Sequence, residues 1–299
     1  MKRKVIQIGD STQLVSLPRE WSVSNGIKKG DELEVFTEAD KMTVLAGERS
    51  AVKATTLDLS DMKTLRRRSI CAAYLRGFSE VEIQYATPEY IQVIQQVIAE
   101  FPGYEIVRQG KTSCSIKQIS APRPGEFESV FNRLFLLLHD TALYISEALD
   151  KKDGAMLKSI PYREVNINKF ANFCRRLINN RSIAKTEDAT VNYYILACLE
   201  QLGDAYKELA HYLAKDTDVP KEVNEALKDA AVLLDGVYRL HTKYRKELMI
   251  ENALHYNNLQ ANIKKLAGSG KTDAYLFHYV TKINELIIGM QEAMMQLWV

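Results

Sequence analysis

A chain of 299 residues, 46% hydrophobic and 26% charged, has the composition of an ordinary globular protein, and its length predicts about two or three domains. The net charge of +2 gives no whole-chain signature of nucleic-acid binding, and no apolar run reaches the roughly 18 residues that span a membrane. The four cysteines have no spacing typical of a zinc or redox motif, which favours a reducing compartment. We therefore expect a cytoplasmic protein.

The first 48 residues predict a small β-rich domain. Apolar residues alternate as in strands at 4–8, 32–36 and 42–45, and a short helical turn begins at Pro18 and stops at Gly26. With a further strand before the helical turn, the segment holds four short strands and one turn, which cannot bury an adequate core alone. Residues 1–48 therefore predict a homodimer.

The residue order at 17–21 (Leu-Pro-Arg-Glu-Trp) and at 26–31 (Gly-Ile-Lys-Lys-Gly-Asp) resembles the swapped-hairpin DNA-binding module of the AbrB/SpoVT type. This resemblance implies a small swapped-hairpin β-barrel that dimerises and binds DNA. The same module also serves in antitoxins and as a dimerising module in larger proteins.

Charge is unevenly distributed along residues 1–48, which hold seven basic and eight acidic side chains. The basic groups lie near residues 2–4, 19 and 28–29, whereas acidic groups cluster at 31–40, so one end of the domain is predicted to be positive. Local neutralisation of phosphates is what DNA docking requires; the alternative is that these are ordinary solvated charges. The predicted DNA-binding residues are Arg3, Lys4, Arg19, Lys28 and Lys29.

Residues 49–121 predict a small α/β connector domain with no catalytic motif. The order β-α-β-α-β-β implies one sheet with two right-handed crossovers and both helices on one face. Ser60 and Thr87 are predicted helix caps, with Pro88 at the first helical position. The predicted strands are 54–59, 81–85, 104–108 and 113–117, and the predicted helices are 61–77 and 87–101.

Three successive arginines, Arg66, Arg67 and Arg68, give the first connector helix a basic side together with Lys63 and Arg76. This side has two interpretations: a contact to an anion or to the DNA backbone, or a solvated helix face.

Residues 120–125, with two prolines, predict a linker, and residues 124–299 predict a helical bundle. Pro161 and Pro220 both lie near helix starts, and apolar residues recur at helical spacing between 191 and 213. Short connections imply antiparallel neighbours. The chain is thus predicted to be a multidomain α+β protein. The predicted helices are 126–150, 161–181, 187–215, 219–248, 250–267 and 271–298.

Residues 195–204 (Ile-Leu-Ala-Cys-Leu-Glu-Gln-Leu-Gly-Asp) resemble the Leu-Glu-Arg-Ile-Gly-Asp signature of the PhoU family of helical phosphate-uptake regulators. Residues 164–178 fit the second helix of that family, so the bundle is expected to contain two three-helix repeats. The order of the two modules resembles archaeal phosphate-uptake-regulator-like proteins. It implies a non-enzymatic, DNA-binding transcriptional regulator of phosphate uptake or homeostasis. Two alternatives are an adaptor that acts on a phosphate transporter, with residues 1–48 serving only as a dimeriser, and a metal-storing bundle.

The PhoU resemblance also implies a metal site. Glu200 and Asp204 lie one helical turn apart on one face, and in the family such a pair, with a partner like Glu164, holds iron, zinc or other cations. Asn168 stands where a further carboxylate is expected, and the matching positions of the second repeat are not acidic. Three interpretations remain: an acidic face paired with lysines such as Lys207, one divalent cation, or a multinuclear cluster. We assign no cofactor.

Residues 268–272 (Gly-Ser-Gly-Lys-Thr) are similar to the end of a phosphate-binding loop, but they lack the upstream glycine and follow a helix. We interpret this stretch as a linker between helices.

Overall fold

The computed structural model describes residues 2–38, 41–46, 53–120, 126–180, 188–268 and 273–298. The fold is mixed α+β with a helical C-terminal region. It consists of two compact units, Met1–Ala54 and Thr55–Val299. The boundary at residue 48 and the further division near residue 121 stay predictions. In the described ranges, every helix is too short or too polar to cross a membrane.

The first unit contains two β-hairpins and a short helix. Its elements are β1 (Ile6–Ile8), β2 (Thr12–Leu14), α1 (Arg19–Ser24), β3 (Leu33–Glu38) and β4 (Lys41–Ala46). β1 pairs antiparallel with β2, and β3 pairs antiparallel with β4. Gly9, in the turn of the first hairpin, has a φ of 62°, which a glycine adopts without strain. Within the described part of this unit the two hairpins form separate two-stranded sheets.

The second unit begins with the predicted β-α-β-α-β-β segment. Its elements are β5 (Ala54–Asp58, which begins at the last residue of the first unit), α2 (Arg66–Leu75), β6 (Glu80–Gln84), α3 (Tyr90–Ile98), β7 (Tyr104–Gln109) and β8 (Ser113–Gln118). The strand order is β5-β6-β8-β7, and β8 runs antiparallel to both of its neighbours. The Leu59 amide donates to the Gln84 carbonyl at 2.8 Å, so β5 and β6 end together and run parallel.

Both predicted helix caps in this segment are wrong. α2 begins five residues later than predicted, because Lys63 has a φ of 40° and residues 63–65 form a single 3-10 turn. Ser60 instead donates its amide to Asp58. The backbone carbonyl of Thr87, not its side chain, accepts the Tyr90 amide in a turn before α3. Glu89 occupies the N-cap position of that helix. Pro88 therefore lies in that turn and not in the helix.

One face of the four-stranded sheet is covered, which confirms the prediction that both helices lie on one side. Val81 and Ile83 of β6 and Ile116 of β8 are buried against α2 and α3, together with Tyr74 and Ile94. The intervening residues of these strands are polar and more exposed, as expected for a sheet with one solvated face.

The remainder of the second unit is a helical bundle. Its helices are α4 (Glu126–Asp150), α5 (Gly154–Lys158), α6 (Ile160–Asn179), α7 (Ala189–Leu213), α8 (Lys221–Thr242), α9 (Lys246–Gly268) and α10 (Ala274–Met295). Contacts between Asp150 and Lys228 near one end, and between Phe135 and Tyr238 near the other, show that α4 and α8 run antiparallel. The predicted linkers at 120–125 and 268–272, and the predicted connection between residues 181 and 187, fall mostly outside the described residues.

Two bundle boundaries differ from the prediction. α5 is a short helix that the sequence did not predict, and the Asp153 side chain caps it by accepting the Ala155 and Met156 amides. The break between α8 and α9 lies at residues 243–245, several residues before the predicted position, and Lys243 there is extended with a φ of −156°. Pro220 occupies the N-cap position of α8.

Gly203 allows close packing of α6 and α7. A Cβ at this position would lie 2.8 Å from Cγ2 of Ile167, whose side chain is fully buried. We expect Gly203→Ala to lower the free energy of unfolding by about 1–3 kcal/mol, less a helix-propensity gain of up to about 1 kcal/mol.

The matched control is Gly289→Ala on α10, where a Cβ would approach only the Tyr194 hydroxyl, at 3.0 Å, at the end of a half-exposed side chain. This side chain can move away, so Gly289→Ala should be neutral or stabilising. Thermal unfolding of both variants compares them, and equal gains in melting temperature would contradict the close-packing role of Gly203.

Candidate functional site

The five predicted DNA-binding residues are all exposed in the first unit. Arg19 is the first residue of α1, directly after Pro18, whose φ of −61° suits the start of a helix. Lys28 and Lys29 lie in the following loop, which is held by a hydrogen bond from the Lys28 amide to Asp31 at 2.9 Å. Arg3 and Lys4 lead into β1. None of the five cations forms an ion pair with another residue that the structure describes.

The same unit exposes its apolar side chains. Among its described side chains none is buried, and Trp21, Ile27 and Leu33 are only partly covered. Six apolar side chains are each more than half exposed. They are Val5, Ile6, Ile8, Val23, Val35 and Met42. A single chain therefore leaves this unit without a hydrophobic core among its described residues.

The three predicted metal-binding carboxylates are paired with basic side chains. Glu164 is 7% exposed and accepts hydrogen bonds from Asn168 and from the Lys207 ammonium, the latter at 2.9 Å. The same ammonium contacts Asp204 at 2.8 Å, so Lys207 bridges α6 and α7. Within the described ranges, no group of three or more His, Cys, Asp or Glu side chains is arranged to hold a metal ion.

Glu200 lies beside this bridge, with its carboxylate 3.5 Å from the Arg175 guanidinium. Burial raises the pKa of Glu200 and Asp204 raises it further, whereas Arg175 and Arg67 act in the opposite direction. Burial also lowers the pKa of Lys207, but its hydrogen bonds to Asp204 and Glu164 outweigh this effect and raise the pKa overall. The Lys207 ammonium is thus protonated at neutral pH and occupies the position between the carboxylates that a cation would need.

The arginine run divides between structural and exposed positions. Arg66 stacks on the Tyr90 ring at 3.8 Å, and Arg67 forms an ion pair with Glu100, so both hold α2 against α3 and the segment around it. Arg68 is exposed and forms no ion pair with a described residue. Two of the three arginines therefore serve the packing of the connector, an interpretation that the sequence did not suggest.

A fully buried arginine joins the connector to the bundle, and sequence reasoning missed it. Arg176 of α6 is 1% exposed, and its guanidinium donates to the Tyr74 carbonyl, to the Phe78 carbonyl at 2.8 Å and to the Gln118 side chain at 2.6 Å. It also lies 4.6 Å from the centre of the Tyr74 ring and 5.1 Å from that of Tyr104. Such a set of acceptors can stabilise a buried cation.

Further contacts extend the same junction. The Asn179 amide donates to the Leu75 carbonyl at 2.7 Å, so two residues near the end of α6 bind carbonyl groups at the end of α2. Gly77 has a φ of 79°, and a Cβ there would overlap the Asn180 side chain. The junction places α2 firmly on α6, because glycine permits the close approach and the carbonyls at the helix end find donors.

The helix that follows the stretch similar to a phosphate-binding loop has its first amides bound by a side chain of this chain. Residues 269–272 lie outside the described residues, and α10 begins immediately after them. The Asp273 carboxylate accepts the Tyr275 and Leu276 amides at 2.8 and 3.0 Å. A carboxylate thus occupies the position at which the helix terminus could bind an anion.

Comparison with known proteins finds no matching family model, no similar curated protein and no similar solved structure.

Proposed function

We propose that this protein is a dimeric, DNA-binding transcriptional regulator of phosphate uptake or phosphate homeostasis. In this proposal residues 1–48 form an intertwined swapped-hairpin barrel of the AbrB/SpoVT type, and the bundle at 124–299, organised as in the PhoU family, senses or docks a signal. The observation that carries the proposal is the first unit, which exposes apolar side chains and basic side chains together.

The exposed apolar side chains support dimerisation. Isolated two-stranded hairpins are marginally stable in water, and the two hairpins of this unit have no further strand within the described part of one chain. A second copy would cover Ile6 and Ile8, which lie on the same face of β1 and are each about half exposed. Full burial of such a side chain contributes about 1.5–3 kcal/mol, and about half of that remains to be gained at a half-exposed position. A symmetric dimer doubles every such contribution.

The charge pattern supports DNA as the partner. Some surface cations of the bundle are paired with carboxylates, as in Lys152–Asp218, Lys228–Asp150 and Arg239–Asp235. In the first unit the five candidate cations form no such pairs with described residues. Unpaired cations on a dimer offer a doubled set of phosphate contacts, which is the usual source of affinity for DNA.

The role in phosphate regulation rests on the resemblance of residues 195–204 and 164–178 to the PhoU family. Gly203 gives this resemblance a physical basis, since the glycine of the signature is the residue that admits Ile167 between α6 and α7. Lys207, bound to Glu164 and Asp204, favours a charge-balanced bundle over a metal-storing one. No catalytic step is proposed.

A second candidate is an adaptor that contacts a phosphate transporter component, with the first unit serving only to dimerise. Ile250 and Leu254 lie one turn apart on α9 and are 52% and 60% exposed. Contiguous exposed apolar patches are found where proteins contact partners, and these two residues would lie at the centre of such a contact in the adaptor.

The dimer is tested by Ile8→Asp. A carboxylate at a position that must be buried between two copies is expected to raise the dimer dissociation constant by at least about 100-fold, because each unpaired buried charge costs several kcal/mol. Analytical ultracentrifugation measures the mass. The matched control is Val165→Asp on α6, where the side chain is 44% exposed and the mass should not change. An Ile8→Asp protein that stays as dimeric as the parent would contradict the proposed barrel.

The DNA-binding function is tested by fluorescence anisotropy with the full chain, mixed genomic fragments and the protein's own promoter at low salt. We expect binding that Lys28→Glu with Lys29→Glu abolishes and that Arg68→Glu leaves nearly unchanged. A dimer that binds no DNA under these conditions would favour the adaptor.

A further inference from the structure

We infer that β5 pairs antiparallel with β5 of a second copy of this chain, about a two-fold axis at Thr56, so that two four-stranded sheets join into one. The proposed partner surface is the outer edge of β5, a surface separate from the N-terminal barrel.

β5 is an edge strand. In the order β5-β6-β8-β7 it has a neighbour only on the β6 side within the described residues. Residues that face the covered side of the sheet, Thr55 and Leu57, are only partly buried, whereas Ala54, Thr56 and Asp58 are exposed. Because the helices cover even the inward side chains of β5 only in part, they leave space for a further strand beside β5.

The direction of the backbone groups follows from one hydrogen bond. The Leu59 amide donates to the Gln84 carbonyl of β6 at 2.8 Å. Because successive residues of a strand point their amide and carbonyl groups to opposite sides, Leu57 and Thr55 also face β6. The amide and carbonyl groups of residues 54, 56 and 58 therefore point away from the sheet, toward the open edge.

The two edges of the sheet differ in their protection. β7, at the other edge, has a register irregularity between Ile106 and Arg108 and carries charged side chains, including Arg108, which is paired with Glu82. A bulge and charges are the features by which natural proteins keep edge strands from pairing. β5, with the sequence Ala-Thr-Thr-Leu-Asp, contains no proline and no basic residue, and its single charge lies at its end.

The charge of Asp58 selects the register. With the axis at Thr56, Asp58 lies opposite Ala54 of the second copy. Residues 54, 56 and 58, whose backbone groups point toward the open edge, are then all paired. This register forms about six backbone hydrogen bonds, two for each facing pair of outward residues. An axis at Asp58 would instead place two carboxylates directly opposite each other, which is unfavourable.

A second copy is the expected occupant because the same chain is proposed to dimerise through residues 1–48. Only residues 47–53 separate β4 from β5, so each β5 is tethered closely to its N-terminal unit. A short tether gives the second contact an effective concentration in the millimolar range. In this respect the inference rests on the proposed function.

The test is disulfide cross-linking of the full chain carrying Thr56→Cys. Facing Cα atoms of a hydrogen-bonded antiparallel pair are about 5.5 Å apart, within the range that a disulfide spans. We expect mild oxidation to give a reducible band at twice the chain mass. Glu105→Cys, on the edge at β7, is the matched control and should give no such band; its cross-strand partner is Lys117, so no cysteine of the same chain lies opposite it. The parent chain is a second control, since Cys114, Cys174 and Cys198 are buried and Cys71 is partly buried.

A second variant, Thr56→Lys, places two ammonium groups at the axis. Sedimentation of the full chain should show a dimer dissociation constant at least about tenfold higher than that of the parent, whereas Gln109→Lys should leave it unchanged. A dimeric chain that neither cross-links through Thr56→Cys nor responds to Thr56→Lys would overturn the pairing of β5 and leave the N-terminal dimer intact. A chain that is monomeric in every variant would overturn both proposals. If Thr56→Cys still cross-links in a chain that also carries Ile8→Asp, the pairing of β5 is supported independently of the N-terminal dimer.

Discussion

Replacement of Arg176 by alanine is expected to lower the free energy of unfolding by about 3–5 kcal/mol, the range for breaking a buried charged network. The variant removes the hydrogen bonds of the guanidinium to the Tyr74 and Phe78 carbonyls and to the Gln118 side chain, and it opens a cavity between the connector and α6. Relief from desolvation of the buried guanidinium offsets only part of this loss. The melting temperature should fall by about 6–20 °C.

Two variants separate the causes. Arg176→Met keeps most of the volume but none of the hydrogen bonds, so it should recover part of the loss and remain less stable than the parent by about 1–3 kcal/mol. Arg133→Ala, at an exposed position of α4, should change stability by less than about 0.5 kcal/mol. Differential scanning calorimetry compares them. An Arg176→Met protein as stable as the parent would show that the hydrogen bonds of the junction contribute little.

The Arg176 junction also bears on how a signal in the bundle could reach the rest of the chain. The guanidinium ties α6 to the end of α2 and to Gln118 at the end of β8. Lys207 and Arg175 lie on neighbouring parts of α6 and α7, and Arg67 of α2 contributes to the electrostatic environment of Glu200. α6 contacts α7 through Lys207 and Arg175 and contacts the connector through Arg176, so a displacement of α6 would act on both contacts. This coupling is a consequence of packing and needs no metal.

The helices of the bundle could be predicted from the sequence because their signals are local. Apolar residues at three- and four-residue steps from 191 to 213 mark the buried side of α7, and Gly268 marks the end of α9. The break between α8 and α9 was misplaced because residues 243–245 (Lys-Tyr-Arg) contain no glycine or proline. The late start of α2 was missed for a similar reason, since nothing in the sequence indicates that Lys63 has a positive φ.

The side-chain networks could not be predicted because their partners are distant in the sequence. Arg176 bonds to residues about 60 to 100 positions away, and an arginine is ordinarily expected to face solvent. Lys207 pairs with Glu164, 43 residues earlier, so the spacing of Glu200 and Asp204 alone could not show what lies between the carboxylates. The one available signal was the position of Arg176 within the buried end of α6, beside Cys174 and Leu177.

Binding of the full chain to DNA is expected to weaken on the order of 10³–10⁵-fold between about 50 and 200 mM salt, if the dimer neutralises roughly six to ten phosphates. Five exposed cations in each copy, Arg3, Lys4, Arg19, Lys28 and Lys29, can supply that number. The slope of the logarithm of affinity against the logarithm of salt concentration measures how many phosphates are neutralised. A slope near zero in a protein that still binds DNA would show that these cations do not neutralise phosphates.

Arg19→Glu distinguishes the two ways in which the first residue of α1 can contact DNA. If Arg19 binds phosphate, the variant should bind every sequence more weakly, and the salt slope should fall by about one for each phosphate that the dimer no longer neutralises. If Arg19 reads a base, the variant should instead lose preference at one position, by about 1–3 kcal/mol. Arg133→Glu makes the same charge change on α4 and is the matched control. Because both variants alter net charge equally, a loss of affinity confined to Arg19→Glu would locate the DNA-binding surface in the first unit, and equal losses of affinity would leave only a general effect of charge.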